Sequence, residues 1–246
     1  MSRVLITGAG QRLGLAMAEA LAADGHSLCL HHNQSREDCE SLAERIRASG
    51  GEAVTLQADL SDPTAAAELP ARAAGLLGSL DVLVNNASIY EEDRLQDFAS
   101  ETWERNFAIN LRAPTLLCQG FVKQLPSGQS GSIVNLLDTR IAAPRAGDFL
   151  SYTLSKCALA TLTRMLAVEL APQVRVNAIA PGLTLPSNGQ SEAEFAAAQA
   201  AAPLGYGAQV ADIQRALRYL LAADPVTGQI LYVDGGERFL SQPLDS

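Results

Sequence analysis

Tyr152 and Lys156 stand four residues apart, in Tyr-Thr-Leu-Ser-Lys, at the start of a long helical pattern. Because positions four apart share one face of a helix, the phenol and the ammonium group are expected to point towards one site. A free tyrosine has a pKa of about 10, which suits chemistry near neutral pH poorly. A neighbouring cation favours the phenolate and makes the phenolic proton easier to release. The pair predicts a proton relay, although this spacing alone is a common coincidence.

A glycine-rich turn follows the first apolar segment of the chain. Gly8, Gly10 and Gly14 lie between Val4-Leu5-Ile6 and a helical pattern. Glycines here let the backbone approach a pyrophosphate, while a helix N-terminus supplies N–H donors and a positive dipole. The strand before and the helix after are the context that a dinucleotide site requires. The residues predicted to contact the cofactor here are Gly8, Gln11, Arg12, Leu13 and Gly14.

Short apolar segments alternate with helical patterns along the whole chain. The segments are continuously apolar, as strands buried on both faces are. Such alternation predicts an α/β, doubly wound Rossmann-type domain with a mostly parallel seven-stranded sheet flanked by helices. The predicted strands are Arg3–Thr7, Ser27–His31, Ala53–Gln57, Val82–Asn85, Ser132–Leu137, Val174–Ala178 and Ile230–Val233. The predicted helices are Leu13–Ala23, Arg36–Ser49, Pro63–Leu77, Glu101–Gln124, Tyr152–Leu170 and Gln209–Ala222.

One irregular segment interrupts this pattern. Residues Pro181–Gln190 are rich in Pro, Gly, Ser and Asn, and an Ala-rich helical segment, Ser191–Ala202, follows. A long loop with a short helix inside a compact domain is more often a functional lid than a domain boundary. Residues 1–246 are therefore predicted to form a single dinucleotide-binding and catalytic domain, with a substrate lid near residues 182–205.

Composition excludes several classes of function. The 246 residues suit one large α/β domain. A net charge of −9 argues against nucleic-acid binding, which draws on clustered Lys and Arg. The four cysteines are not paired at zinc-ligand spacing, so no metal site is predicted, and their scatter fits a reducing cytosol. No apolar stretch approaches the length of about 18 residues that a membrane span needs, so we expect a cytoplasmic protein without membrane contact.

The glycine-rich turn resembles the opening Thr-Gly-x-x-x-Gly-x-Gly of the short-chain dehydrogenases/reductases, with Arg12 in place of the middle glycine. The pteridine reductases of that superfamily carry a Thr-Gly-Ala-x-x-Arg-Leu-Gly version. Matches at Asn85–Ser88, at Tyr152 with Lys156 and at Thr227–Gly236 extend the resemblance over practically the whole chain. It implies a nicotinamide-dependent oxidoreductase and, by analogy with these enzymes, a homotetramer.

The end of the second strand bears on the choice between NAD and NADP. An NAD site normally places an acidic residue there to hold the ribose 2′-hydroxyl. Here the chain offers His31, His32, Asn33 and Ser35, with no carboxylate before Glu37. NADP(H) is therefore the predicted cofactor, although the two histidines could also be only a strand end and a loop.

Further cofactor contacts follow from the resemblance. Asp59 and Leu60 after the third strand match residues that meet the adenine, although a helix-capping role is an alternative for Asp59. Asn110 matches an asparagine that holds a water linking the catalytic lysine to solvent. The other residues implied to contact the cofactor are Asn86, Ala87, Ser88, Lys156, Pro181, Gly182 and Thr184.

The fifth strand ends in Asp138, fourteen residues before Tyr152, where typical family members carry a carbonyl-orienting serine. A carboxylate repels a carbonyl oxygen, whereas a pterin offers N–H donors and ring nitrogens to it. Pteridine reductases have Asp here, and an aromatic residue at the position of Tyr90 that stacks on the pterin. The residues predicted to bind substrate are Arg12, Ser88, Tyr90, Asp138 and Tyr152. Alternatively, Thr139 takes the role of the serine and Asp138 is a solvated loop residue.

These observations favour an NADPH-dependent reductase of a dihydropterin such as dihydromonapterin, dihydrobiopterin or dihydrofolate. Hydride passes to an imine carbon while Tyr152 and Asp138 manage the proton of the ring nitrogen, with Lys156 and Asn110 completing the catalytic set. One alternative is a short-chain reductase of a ketone or acyl-carrier substrate. A nicotinamide-binding sensor without catalysis is the other, although such proteins usually lose the Tyr or the Lys.

Overall fold

The computed structural model describes residues 1–144, 149–187 and 189–240. Seven strands form one sheet in the order β3-β2-β1-β4-β5-β6-β7, and every neighbouring pair is parallel. The predicted Rossmann-type architecture is thereby confirmed, with a sheet that is wholly parallel. The strands are β1 Arg3–Ile6, β2 Ser27–His32, β3 Ala53–Gln57, β4 Val82–Asn85, β5 Gly131–Leu136, β6 Val174–Pro181 and β7 Ile230–Val233.

Helices cover both faces of this sheet. They are α1 Arg12–Ala23, α2 Arg36–Ala48, α3 Pro63–Leu77, α4 Ser100–Phe107, α5 Ala113–Gln124, α6 Leu150–Glu169, α7 Glu192–Ala200 and α8 Val210–Ala222. In β1, Val4 and Ile6 pack into one apolar core, together with α1 and α8. Leu5 points to the other core, which α3 and α5 complete. Side chains alternate between the faces of a strand, so two buried faces require a continuously apolar strand.

The strand order reverses between β1 and β4. In open α/β sheets of this kind, ligands bind outside the carboxyl ends of the strands at such a switch point. The turns that follow β1, β4, β5 and β6 therefore surround the expected site.

The prediction of one helix over Glu101–Gln124 is wrong in its middle. A π-helical turn, Ala108–Arg112, separates α4 from α5. Such turns insert one residue into a helix and occur often at functional sites. Hydrophobic periodicity did not reveal it, because one extra residue hardly alters a pattern of this length.

Candidate active site

A cleft of about 1070 Å³ opens at the carboxyl ends of the strands. Most of the predicted site residues line it, namely Gly8, Gln11, Arg12, Leu13, Gly14, His31, Asn33, Ser35, Leu60, Asn86, Ala87, Ser88, Tyr90, Asp138, Tyr152, Lys156, Pro181, Gly182 and Thr184. Asp59 lines a smaller neighbouring hollow with Asn33. His32 and Asn110 are not among the residues that line the cleft, and both are buried.

The turn after β1 is held tightly against the loop after β4. The Asn86 side-chain amide donates to the carbonyl oxygens of Thr7 and Gly8, at 2.8 and 3.0 Å. Gly14 packs so closely on Gly8 that a Cβ on Gly14 would lie 2.0 Å from the Gly8 carbonyl oxygen. Any side chain at position 14 would push α1 away from the turn. These contacts leave a short concave backbone at the N-terminus of α1, as a phosphate-binding turn needs.

Arg12, the first residue of α1, has a φ of +51°. This left-handed conformation costs a residue with a Cβ energy that glycine does not pay. The guanidinium of Arg12 lines the cleft and donates to the Pro186 carbonyl oxygen at 3.0 Å, so it reaches the loop after β6. Arg12 thus has a backbone conformation that favours glycine, and its side chain places a cation in the cleft.

His31 supports the turn from within the protein. Its Nδ1 accepts from the Gly8 N–H at 3.1 Å, and its Nε2 lies 3.1 Å from the Ala58 carbonyl oxygen. This pairing requires the neutral tautomer with the proton on Nε2, and burial lowers the pKa of His31 to about 4. Both ring nitrogens are therefore occupied by backbone groups. The contact of His31 and His32 with a 2′-phosphate stays a prediction: both side chains are buried, and His31 lines the cleft together with Asn33 and Ser35.

The catalytic candidates lie together at the ends of β5 and α6. The Tyr152 hydroxyl donates to Asp138 Oδ2 at 2.9 Å. Lys156 Nζ donates to the Leu136 carbonyl oxygen at 2.8 Å and lies 5.8 Å from the centre of the Tyr152 ring. Tyr152 and Lys156 are both buried. The phenol and the ammonium group thus share one helix face.

The pKa of Tyr152 differs from the one expected from its spacing to Lys156. Burial and the neighbouring Asp138 carboxylate raise the pKa of Tyr152 well above its usual value. Burial lowers the pKa of Lys156 to about 8. The desolvation of Tyr152 therefore outweighs the effect of the Lys156 cation, which was expected to favour the phenolate. The phenol stays protonated at neutral pH, which suits a proton donor.

Thr139 is turned towards the C-terminal part of the chain. Its hydroxyl donates to Asp234 Oδ2 at 2.9 Å, and Arg238 Nη1 donates to the other oxygen of Asp234 at 2.6 Å. Asp138, by contrast, bonds directly to Tyr152. The carboxylate and not the threonine hydroxyl is thus the neighbour of the phenol.

The side chain of Asn110 has no hydrogen-bonding capacity left for a water. Its amide donates to the Ile89 carbonyl oxygen and to Ser155 Oγ, and its oxygen accepts from Ser88 Oγ and the Ile89 N–H. Two donors and two lone pairs are the full inventory of an asparagine amide. A water bound at this residue would need its backbone carbonyl, which lies in the π-helical turn.

An aromatic wall stands beside Tyr152. The ring of Tyr90 stacks on that of Phe149 with centres 3.8 Å apart, and it meets the Tyr152 ring edge-on at 4.6 Å. Arg140 Nη2 donates to the Tyr90 hydroxyl at 2.9 Å, and the guanidinium lies 5.2 Å from the centre of the Phe149 ring. Sequence reasoning missed Phe149 and Arg140. The signal in the sequence is that Phe149 lies three residues before Tyr152 and Arg140 lies two residues after Asp138.

Comparison with known proteins assigns the chain to a family. The family profile described as Enoyl-(Acyl carrier protein) reductase matches residues 8–237. The 3-oxoacyl-[acyl-carrier-protein] reductase FabG of Staphylococcus aureus (strain Mu50) is 30% identical over 237 residues, which is 94% of this chain and 96% of the relative. The chain belongs to the short-chain dehydrogenase/reductase superfamily.

Solved structures of other superfamily members resemble it closely. FolM Alternative dihydrofolate reductase 1 from Brucella canis, complexed with NADP, has a TM-score of 0.94 and 39% identity, covering 99% of this chain and 96% of that one. A short-chain dehydrogenase from Burkholderia cenocepacia, in complex with NADP, has a TM-score of 0.89 and 29% identity, covering 96% and 97%. The Brucella neighbour fits the resemblance to the pteridine reductase-like subgroup that the motifs carry.

A metal-binding cluster and a membrane-spanning helix are both absent from the described residues. Over residues 1–144, 149–187 and 189–240, no cluster of His, Cys, Asp and Glu is arranged to hold a metal ion. Within the same ranges, no helix has the length and hydrophobicity to cross a membrane.

Proposed function

We propose that this protein is an NADPH-dependent reductase that transfers a hydride to a dihydropterin, with Tyr152 as the proton donor. The observation that carries the proposal is the bond between the Tyr152 hydroxyl and Asp138 Oδ2, at 2.9 Å beside an aromatic wall. A carboxylate at this point opposes an electron-rich carbonyl oxygen, whereas it accepts from the N–H groups of a pterin. The flat ring of a pterin also suits the aromatic surface of Tyr90.

The cleft fits NADPH by its chemistry. The turn from Gly8 to Gly14 offers a concave backbone and a helix N-terminus to the pyrophosphate. Asn33, Ser35 and Arg12 offer uncharged or cationic groups to a 2′-phosphate. We propose that Pro181, Gly182 and Thr184 would cover the nicotinamide, that Asn86, Ala87 and Ser88 would border the ribose, and that Asp59 and Leu60 would flank the adenine. The neighbours crystallised with NADP support this choice.

When bound, NADPH supplies the hydride from C4 of its nicotinamide. Tyr152 holds the proton that the reduced ring nitrogen requires, since its raised pKa keeps the phenol protonated. Asp138 accepts from the phenol and orients the N–H edge of the pterin. Lys156, fixed by the Leu136 carbonyl oxygen, stabilises the phenolate after proton transfer. In this proposal, residues 182–187 and 189–205, which include α7, would exclude water as a lid, and residue 188 of the predicted lid lies outside the described residues.

The test is NADPH oxidation by the purified protein with three 7,8-dihydropterins: dihydrobiopterin, dihydromonapterin and dihydrofolate. A 3-oxoacyl thioester and a cyclic ketone serve as competing substrates. We expect turnover of at least one pterin, its loss in Asp138→Asn and its survival in Thr139→Val. Absence of turnover with every pterin would refute the proposed substrate class.

A 3-oxoacyl or ketone reductase is the second candidate. The FabG relative favours it, and so does the position of Thr139 in the lining of the cleft. Turnover of the thioester that is lost in Thr139→Val but retained in Asp138→Asn would support this alternative. Cofactor binding without turnover of any substrate would instead support a sensor, although Tyr152 and Lys156 are both present.

We also infer a cytoplasmic homotetramer. Along α6, Leu154, Met165 and Val168 are exposed, by 42%, 60% and 81%, which is unfavourable for an apolar helix face in water. A second copy packed against α6 would cover them. Light scattering checks this assembly, and a monomer at micromolar concentration would refute it.

A further inference from the structure

The N-terminus of α6 begins two residues before Tyr152 and has no cap of its own. The first N–H groups of any helix lack partners within the helix. The residue before the helix, Phe149, has a φ of +63° and makes no side-chain capping bond. The Leu150 and Ser151 N–H groups must therefore find acceptors elsewhere in the protein.

Asp93 supplies these acceptors from the loop after β4. Its backbone carbonyl oxygen accepts from the Leu150 N–H at 3.0 Å. Its carboxylate accepts from the Ser151 N–H, at 3.0 Å to Oδ1 and 3.2 Å to Oδ2. Asp93 is 5% exposed, so little water competes for these bonds. A negative charge at this point also complements the positive end of the helix dipole.

The same loop carries the substrate-facing Tyr90 three residues earlier. Asn106 joins this loop and α6 a second time, because its amide donates to Ser151 Oγ at 2.8 Å and to the Glu91 carbonyl oxygen at 3.4 Å. Asp93 and Asn106 thus fix the first turn of α6 to the segment that bears Tyr90. Tyr152 lies on that turn, edge-on against the Tyr90 ring.

We propose that Asp93 is a positioning residue for proton transfer, which sets the first turn of α6 so that the Tyr152 hydroxyl stays in contact with Asp138. This inference rests on the proposed role of Tyr152 as proton donor, but not on the identity of the substrate. Movement of a reacting group by about 1 Å can cost about 100-fold in rate. Loss of the cap therefore affects kcat through Tyr152, while the turn that would hold NADPH, at the other end of the cleft, is left intact.

The experiment compares Asp93→Ala and Asp93→Asn with a matched control, Asp81→Ala. Asp81 Oδ2 also accepts from a backbone N–H, that of Arg3 at 2.9 Å, but at the amino end of the sheet. All three changes should lower the melting temperature. In Asp93→Ala we expect kcat to fall about 100-fold with little change in the Kd of NADPH. In Asp93→Asn, which keeps an acceptor oxygen, kcat should fall less. Asp81→Ala should keep the wild-type kcat.

A second measurement separates positioning from stability. Contact with Asp138 contributes to the raised pKa of Tyr152, so loosening it should lower that pKa. Titration of tyrosinate absorbance, with Tyr152→Phe as the blank, reads this pKa directly and without turnover. The Tyr152 pKa should be lower in Asp93→Ala than in wild type, but unchanged in Asp81→Ala. If Asp93→Ala is unstable, Asp93→Asn carries both measurements.

Each outcome decides one question. Unchanged kcat and an unchanged Tyr152 titration in the Asp93 variants would overturn the positioning role, whichever substrate the wild type reduces. A wild type that reduces only ketones refutes the pterin assignment, and the Asp93 comparison is then made with the ketone. A wild type without any turnover refutes the proposed function, and the tyrosinate titration alone then decides the role of Asp93.

Discussion

Replacement of Arg12 by glycine tests two properties of one residue, its strained backbone and its guanidinium. At a φ of +51°, a residue with a Cβ pays roughly 1–2 kcal/mol relative to glycine. Glycine loses about 0.5–1 kcal/mol more conformational entropy on folding. The exposed bond to the Pro186 carbonyl oxygen contributes about 0.5 kcal/mol. These values nearly cancel, so the free energy of unfolding of Arg12→Gly should lie within about 1 kcal/mol of wild type.

Arg12→Ala is the matched control, because it removes the same guanidinium but keeps the Cβ. Alanine is destabilising where φ is positive, so this variant should be less stable than Arg12→Gly by about 1 kcal/mol. The cofactor should respond differently. A hydrogen bond to a charged group contributes about 1.5–3 kcal/mol, so both variants should raise the Kd of NADPH about 10- to 100-fold.

Urea denaturation gives the stabilities, and quenching of protein fluorescence gives the Kd values. NADH is the second ligand: if Arg12 contacts the 2′-phosphate, the affinity for NADH should hardly change, and if it contacts the pyrophosphate, both affinities should fall. An alanine variant at least as stable as the glycine variant would refute the backbone reasoning. A wild-type Kd for NADPH in both variants would refute the cofactor contact.

Three further predictions concern the catalytic group and its aromatic wall. Lys156→Met removes a buried cation whose pKa in the folded protein is about 8, below its value in the unfolded chain, so the unfolded state binds more protons between about pH 8 and 10.5. The stability of wild type relative to this variant, measured by urea denaturation, should therefore be lowest below pH 8 and should rise up to about pH 10.5; a pH-independent difference would contradict the assignment. Tyr90→Leu should raise the KM of a dihydropterin about tenfold by loss of ring stacking, whereas Tyr90→Phe should stay near wild type and neither should alter the Kd of NADPH. Asp138→Ser should lower kcat/KM for a dihydropterin at least about tenfold and raise it for a ketone, because it removes the carboxylate that repels a carbonyl oxygen; an unchanged ratio of the two rates would refute the role of Asp138 in substrate choice.

The sheet and most of the cleft could be predicted because their signals are local. A strand buried on both faces, such as β1, must be apolar throughout, and Gly14 follows from a contact that no Cβ permits. Tyr152 and Lys156 face the same way because helix geometry requires it. These features need little knowledge of the tertiary structure.

The features that sequence reasoning missed depend on packing between distant segments. The bonds of His31 to the Gly8 and Ala58 backbone groups, 23 and 27 positions away, left no signal in the sequence. The pKa of Tyr152 was expected to fall beside Lys156, but burial and Asp138 raise it. Phe149, which has a left-handed backbone, stacks on Tyr90 from a different segment of the chain. In each case the outcome depends on desolvation or on a partner that spacing along the chain does not reveal.

Separate roles are proposed for the two carboxylates near Tyr152. Asp138 acts on the phenol directly and holds its proton in place, which suits reduction of a group basic enough to take that proton. Asp93 bonds to the backbone of α6 and is proposed to determine the position of the phenol. Loss of the first should therefore change which substrates are reduced, because it alters the charge that faces the substrate. Loss of the second should slow all of them alike, because hydride acceptors of every kind would meet the same displaced donor.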